Sequence, residues 1–185
     1  MLGVAFFKKP SPWAIVFLKT INRIPLKISS MKPFRIYADT SVFGGCYDEE
    51  FALESMRLMR DVQHKKYILL LTDMVIAELR DAPKRVANIV SSIPLETIER
   101  VEIDDEVFAL RDAYLEASIV SKRWSDDATH VAAATVARAD ALVSWNFKHI
   151  VRLDKMKLYN QINLLNRYGL LTIISPKELA GYGNK

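Results

Sequence analysis

The sequence predicts an α/β domain with a mostly parallel central sheet, on three observations. Short apolar runs at residues 34–38 (FRIYA), 67–71 (YILLL) and 141–145 (ALVSW) read as strands covered on both faces. Segments with helical spacing alternate with them. The first and third runs stop at polar residues, Asp39 and Asn146. The carboxyl ends of parallel strands are where such sheets bind ligands.

Taken in order, the strand at 34–38 stops at a loop, marked by Thr40-Ser41 and Gly44-Gly45. From 49 to 64, Phe51, Leu53, Met56, Leu58, Met59 and Val62 recur at roughly helical spacing. After the strand at 67–71, Thr72 or Asp73 caps a helix running through Glu78 to Arg80. Residues 84–91 read as another helix, closed by Pro94. Alternation over 97–103 suggests a strand. Asp104-Asp105 caps a helix from 106 to about 120, and Ser125 or Asp126 caps the next, through 138. Following the strand at 141–145, a helix around 156–167 ends with Gly169 as its C-cap. Residues 171–174 form a last strand, and Pro176 opens a final helical turn. The sum is a sheet of about four to five strands flanked by helices.

Composition bounds the function. The chain has 185 residues, 50% hydrophobic and 26% charged, which suits one domain with a sizeable core and is short for two. Cys46 is the single cysteine, so there is no internal disulfide and no Cys/His zinc cluster. That fits a reducing cytoplasm, and Cys46 reads as buried or idle rather than reactive. The net charge of +4 is local: Lys8, Lys9, Lys19, Arg23 and Lys27 lie within residues 1–30, where there is no acid. Removing these five from the chain's 26 leaves 21 basic residues against 22 acidic. Overall basicity is therefore no argument for nucleic acid.

The domain is accordingly placed at 31–185, with 1–30 as a basic extension. Its longest apolar run, Trp13 to Leu18, is far below the ~20 residues of a membrane helix. It carries no convincing signal-peptide cleavage site. Three readings stay open: a basic arm that touches RNA or a partner, a surface helix, or the product of an upstream start codon with the native chain beginning at Met31.

The chemistry lies in acids at the ends of elements. Asp39 ends a strand and precedes Thr40 and Ser41, whose hydroxyls can fix a carboxylate; alone, it reads as a turn cap. Glu78 shares a helix face with Met74 and Val75, where an acid is costly unless paired or bound to metal. The plain alternative is a solvated Glu, or one paired with Arg80 or Lys84. Asp126 and Asp127 exceed what one cap needs, so one is free for other work; His130, three residues on, reads as structural. In a parallel sheet these positions converge at one end. Clustered carboxylates repel at the kcal/mol scale and are stabilised by a divalent cation, and oxygen-only ligands suit Mg²⁺ or Mn²⁺ rather than zinc. The matching chemistry is phosphodiester hydrolysis.

These residues resemble a known family. The stretches IYADTSVFGG, LTDMVIAEL, DDATHVAAATVARADALVSWNFKHI and IISPKEL, spanning about 34–179, are similar to the PIN domain, and within it to VapC-type toxin ribonucleases of type II toxin–antitoxin systems. The resemblance implies a PIN-like three-layer fold and a Mg²⁺- or Mn²⁺-dependent endoribonuclease, held inactive by an antitoxin and expected as a homodimer. It maps Asp39, Glu78 and Asp127 onto the family's first three acids, as catalytic residues and metal ligands. Ser144 matches a supporting Ser/Thr, with Ser41 and Asp126 as further supports. Asn146 stands where many members carry a fourth acid, which keeps a carbonyl ligand but removes a charge. A three-carboxylate site is thus expected to bind one metal firmly and a second weakly. Lys148, His149, Arg152 and Lys155, beyond the Asn146 strand end, are candidates for RNA phosphate contacts.

Other readings are weaker or differ in class. A haloacid-dehalogenase-type phosphatase needs a second Asp where Ser41 stands, and a phosphoreceiver domain carries its Asp on a later strand. The main rival is a PIN-fold module, catalytically weak or inactive, that binds RNA or protein without cutting.

Overall fold

Every residue from Ile36 to Ala38 and from Leu69 to Thr72 is buried, as continuous apolar strands require when helices cover both faces of a sheet. A computed structural model describes residues 32–182; the basic extension at 1–30 lies outside the described residues. Five strands form one sheet: β1 (Phe34–Ala38), β2 (Tyr67–Thr72), β3 (Ile98–Val101), β4 (Ala141–Val143) and β5 (Thr172–Ile174). All pairings are parallel and the order is β3-β2-β1-β4-β5. The α/β class predicted from the sequence is the class found.

The order reverses at β1. The chain moves outward from β1 to β2 to β3, then returns to place β4 on the other side of β1. Right-handed crossovers then put the helices of the two halves on opposite faces. The packing agrees. On one side α1 (Thr40–Gly45), α2 (Ala52–Gln63), α3 (Asp73–Asp81) and α4 (Lys84–Ser91) pack among themselves, with α8 (Pro176–Gly181) against α2. On the other, α5 (Asp105–Glu116) packs against α6 (Ser125–Val136) and α7 (Leu153–Leu165). The result is helix, sheet, helix: three layers, with a topological switch point between β1 and β4. Among the described residues, no helix is long and apolar enough to cross a membrane.

Local chemistry accounts for the element ends. Thr72 Oγ1 accepts the Val75 amide at 3.3 Å and caps α3. Asp104 caps α5 through the Val107 amide at 3.0 Å. Ser175 and Glu178 form a reciprocal capping box around Pro176 at the start of α8. In α6, Ala128 and Ala132 to Ala134 are fully buried, and their small side chains let this helix approach β4 and α5 closely.

Four details depart from the sequence reading. The loop expected after Asp39 is the short helix α1, which buries Val42 and Phe43. Gly45 serves a close approach within it: a Cβ there would stand 2.6 Å from Ser55 Oγ and 2.8 Å from Trp145 Nε1. Neither Ser125 nor Asp126 caps α6; Trp124 holds the cap position, because a 3₁₀ turn at Lys122–Trp124 runs directly into the helix. Gly169 is not the cap of α7. That helix ends at Leu165, and Arg167 takes the left-handed conformation (φ 66°) while the Tyr168 amide bonds back to the Asn163 carbonyl at 2.8 Å. The strand expected over 97–103 is confined to Ile98–Val101, and the one expected over 141–145 to Ala141–Val143, so Ser144 and not Asn146 directly follows it.

Candidate active site

Register places the candidate residues. Ala38 of β1 pairs with Val143 of β4, so Asp39 and Ser144 emerge side by side at the carboxyl end of the sheet, on either side of the switch point. Asp39 is 4% exposed. Its backbone stands at the N-cap of α1, yet its side chain makes no cap bond. Oδ1 instead accepts from Ser41 Oγ at 2.5 Å and Oδ2 from Ser144 Oγ at 2.6 Å. Both hydroxyls are themselves fixed by backbone donors. The Trp145 amide bonds to Ser41 Oγ at 2.9 Å, and the Asn146 amide to Ser144 Oγ at 2.8 Å. With a lone pair of each oxygen taken, the hydroxyl protons turn toward Asp39. Burial pushes the Asp39 carboxyl above its usual range, and the Glu78 charge adds to this; His130 and the two serines oppose it.

Glu78 projects from α3 and is half-buried. Thr40 Oγ1 donates to its Oε2, and His130 Nε2 stands 3.5 Å from its Oε1. Burial raises the Glu78 carboxyl, but the bonds from His130 and Thr40 outweigh it and leave it below the usual value. The partners expected from sequence, Arg80 and Lys84, are not those found. His130, in α6, is buried, and its Nδ1 meets the Tyr37 hydroxyl at 2.8 Å; that hydroxyl also lies 3.1 Å from Thr72 Oγ1. A buried polar chain thus runs from Thr72 through Tyr37 and His130 to Glu78.

Asp127 sits in the first turn of α6. Its Oδ1 accepts from Asn146 Nδ2 at 2.8 Å, while its Oδ2 is buried without a hydrogen-bond partner. Burial raises its pKa to about 6; Asp39, Asp126 and Glu78 push in the same direction against His130. Asn146 therefore faces Asp127 with its amide nitrogen. Its carbonyl oxygen accepts the His149 amide at 3.0 Å and is turned to that loop. Asp126 is exposed and accepts only a long bond, 3.4 Å, from Ser125 Oγ.

The structure thus brings Asp39, Glu78, Asp127, Asn146, Ser41 and Ser144 to one crevice. The donors are hard oxygens suited to Mg²⁺ or Mn²⁺, and the orphaned Asp127 Oδ2 is a buried acceptor that a cation would satisfy. The remaining oxygens of the three acids are engaged by neighbouring side chains. Among the described residues no three His, Cys, Asp or Glu side chains stand together as a ready cage. The donor chemistry fits the ion; the carboxylates must release serine, threonine or asparagine partners to gather on it.

The expected RNA-contacting cations divide. Arg152 is held by Asp154 in a two-pronged pair at 3.0 and 2.7 Å, and Lys155 donates to the Ile119 carbonyl. Lys148 stands over the Trp124 ring, 4.8 Å from its centroid, and the His149 ring lies 4.3 Å from the same indole. Burial lowers the His149 pKa, as do Lys148, Lys155 and Arg152. Two participants escape the sequence reading. Tyr37 is two residues before Asp39, whose extended backbone directly follows β1, and that period-2 spacing is the signal that puts both on the same face. Trp124 carries no periodicity signal. Cys46 is buried, with its thiol pushed up to about 11, and takes no part.

No family model and no curated protein matches the chain. Among solved structures it is similar to VapBC2 from Rickettsia felis bound to a DNA fragment from their promoter, with 15% identity and a TM-score of 0.46 over 77% of this chain and 98% of that one, a likeness too loose to assign a family or an activity.

Proposed function

We propose that this protein is a Mg²⁺- or Mn²⁺-dependent endoribonuclease of the PIN type, acting as the toxin of a toxin–antitoxin pair. The observation that carries the reading is a buried carboxylate, Asp39, at the switch point of a parallel sheet and charge-coupled to Glu78 and Asp127. An isolated buried charge is costly, and a cation among the buried Asp39 and the half-buried Glu78 and Asp127 would offset that cost.

Asp39, Glu78 and Asp127 hold the ion in this reading. When bound, a divalent ion lowers the pKa of a water and stabilises the leaving oxygen of a phosphodiester. Ser41 and Ser144 keep both Asp39 oxygens oriented. Asp127 Oδ2 is the open acceptor, and a group with a pKa of about 6 is mostly ionised at neutral pH. Asn146 contributes a neutral amide to Asp127 where an acid would add charge, so one ion is bound firmly and a second weakly. An antitoxin, a homodimer and a cytoplasmic setting belong to the same reading. Exposed Leu164, Leu165 and Leu170 offer apolar surface for such contacts.

The test is Mn²⁺-dependent cleavage of structured RNA by the purified protein, with Asp39→Asn as control. Cleavage by the wild type alone supports the proposal; equal degradation by both, or by neither, sinks it. The engaged carboxylates and the Asn146 amide favour a second reading, a PIN-like module that binds RNA or protein without cutting. RNA binding with no cleavage and no calorimetric metal binding would select it.

A further inference from the structure

Trp124 occupies the cap position of α6, one turn before Asp127, without making a cap bond. Three side chains gather on its indole. The His149 ring lies at 4.3 Å and 32°, Lys148 Nζ at 4.8 Å from the centroid, and the Arg123 guanidinium at 5.2 Å. An indole face attracts cations through its quadrupole. That attraction fixes the position of a charge without neutralising it. Elsewhere the surface cations Arg152 and Arg100 are matched by Asp154 and Asp73. Arg123 and Lys148 are both exposed, and among the described residues neither has a carboxylate partner.

This cluster adjoins the acidic crevice through a continuous chain of contacts. The Trp124 ring meets the tilted His149 ring, the His149 amide bonds to Asn146 Oδ1, and Asn146 Nδ2 bonds to Asp127. An acidic crevice and a cationic, aromatic shelf are thus one residue apart. A polyanion held at the acids would extend toward two positive charges and an aromatic pair, Trp124 and His149. Stacking plus backbone charge contact is how single strands are held without reading sequence. An acidic peptide offers charge but no base to stack.

We propose that Arg123, Trp124 and Lys148 form a subsite for single-stranded RNA, gripping the phosphate and base that flank the bond held at the carboxylates. It rests on the nuclease reading for its purpose, but it is separable from it in experiment. Anisotropy of a labelled, unstructured RNA oligonucleotide is titrated with the full chain in EDTA across a salt series. Arg123→Ala and Lys148→Ala should each weaken binding and reduce the slope of log affinity against log salt by about 0.7. Trp124→Leu should weaken binding about fivefold or more, and Trp124→Phe, which keeps a ring, should restore most of it. Unchanged affinity and slope in the Arg123 and Lys148 variants overturns the subsite, as does a wild type that does not bind RNA. So does binding of a polyglutamate peptide that depends on Arg123 and Lys148 but not on Trp124, since it selects an acidic protein partner. RNA that binds with the expected pattern yet stays uncut in Mn²⁺ overturns the nuclease reading and leaves the subsite standing.

Discussion

The Ser144 hydroxyl donates to Asp39 Oδ2 at 2.6 Å and ties the carboxyl ends of β1 and β4 together at the switch point. Ser144 Oγ in turn accepts the Asn146 amide, so one serine fixes both the Asp39 carboxylate and the Asn146 backbone. Ser144→Ala leaves the Asp39 carboxylate and the Asn146 amide each short of a partner. It should cost about 1–3 kcal/mol at neutral pH by urea unfolding. The Asp39 carboxyl, already raised, should titrate higher still by carbon NMR. A variant as stable as wild type with an unmoved Asp39 would show that this bond does not organise the site.

Asp127 sets a pH dependence. Its folded pKa of about 6 lies above its ordinary 3.8 because burial and three acids disfavour its charge. A raised acid contributes stability that is complete below the unfolded pKa and is lost as pH rises through the folded one. Metal-free protein should therefore lose stability from this group between about pH 4 and pH 6. A cation favours the ionised form, so the rise in Tm on adding Mn²⁺ should be small at pH 5 and larger at pH 7.5. Asp127→Asn should reduce that difference, leaving what the raised Asp39 contributes, and leave the metal-free protein at least as stable at pH 7.5. Equal Mn²⁺ shifts at both pH values, or a variant that keeps them, would contradict the assignment.

Tyr37 acts on the site through His130. Tyr37→Phe removes the hydroxyl that meets His130 Nδ1 and Thr72 Oγ1, leaving both short of a partner. The expected cost is about 1 kcal/mol in thermal or urea unfolding. The imidazole is then less firmly held against Glu78, whose carboxyl should move up toward its ordinary value. A stability loss with Glu78 unmoved would make the tyrosine a purely structural partner.

How much of this was open to reading follows from which interactions are local. The strands beginning at 34, 67 and 141 are legible because their buried stretches, Ile36–Ala38, Leu69–Leu71 and Ala141–Val143, are apolar without interruption. So is the strand-end position of Asp39; the sequence places Asn146 there too, but β4 stops at Val143 and Ser144 takes that place. Helix α1 is not legible: six residues carry no period, and Gly44-Gly45 is the signal of a turn, although Gly45 answers to the packing of Ser55 and Trp145. Gly169 misleads because Arg167 adopts the left-handed conformation that glycine usually supplies. At the site, Ser41 is legible as a neighbour of Asp39 in sequence, whereas Ser144, with no acid beside it, is legible only through the family resemblance. The Tyr37–His130 contact spans 93 positions, and Trp145–Ser55 spans 90, so both follow only from how α6 and α2 pack against the sheet. Asn146 is legible as an amide, but not that its carbonyl serves His149 rather than the crevice.

The central claim, that these three acids hold a divalent ion, is tested most directly by calorimetric titration of Mn²⁺ into the metal-free full chain at pH 7.5. Wild type should bind about one ion firmly, with a second site weaker, as expected where an amide replaces a fourth carboxylate. Asp39→Asn should lower the affinity at least about tenfold. No binding heat in the wild type, or equal affinity in the variant, would contradict the account.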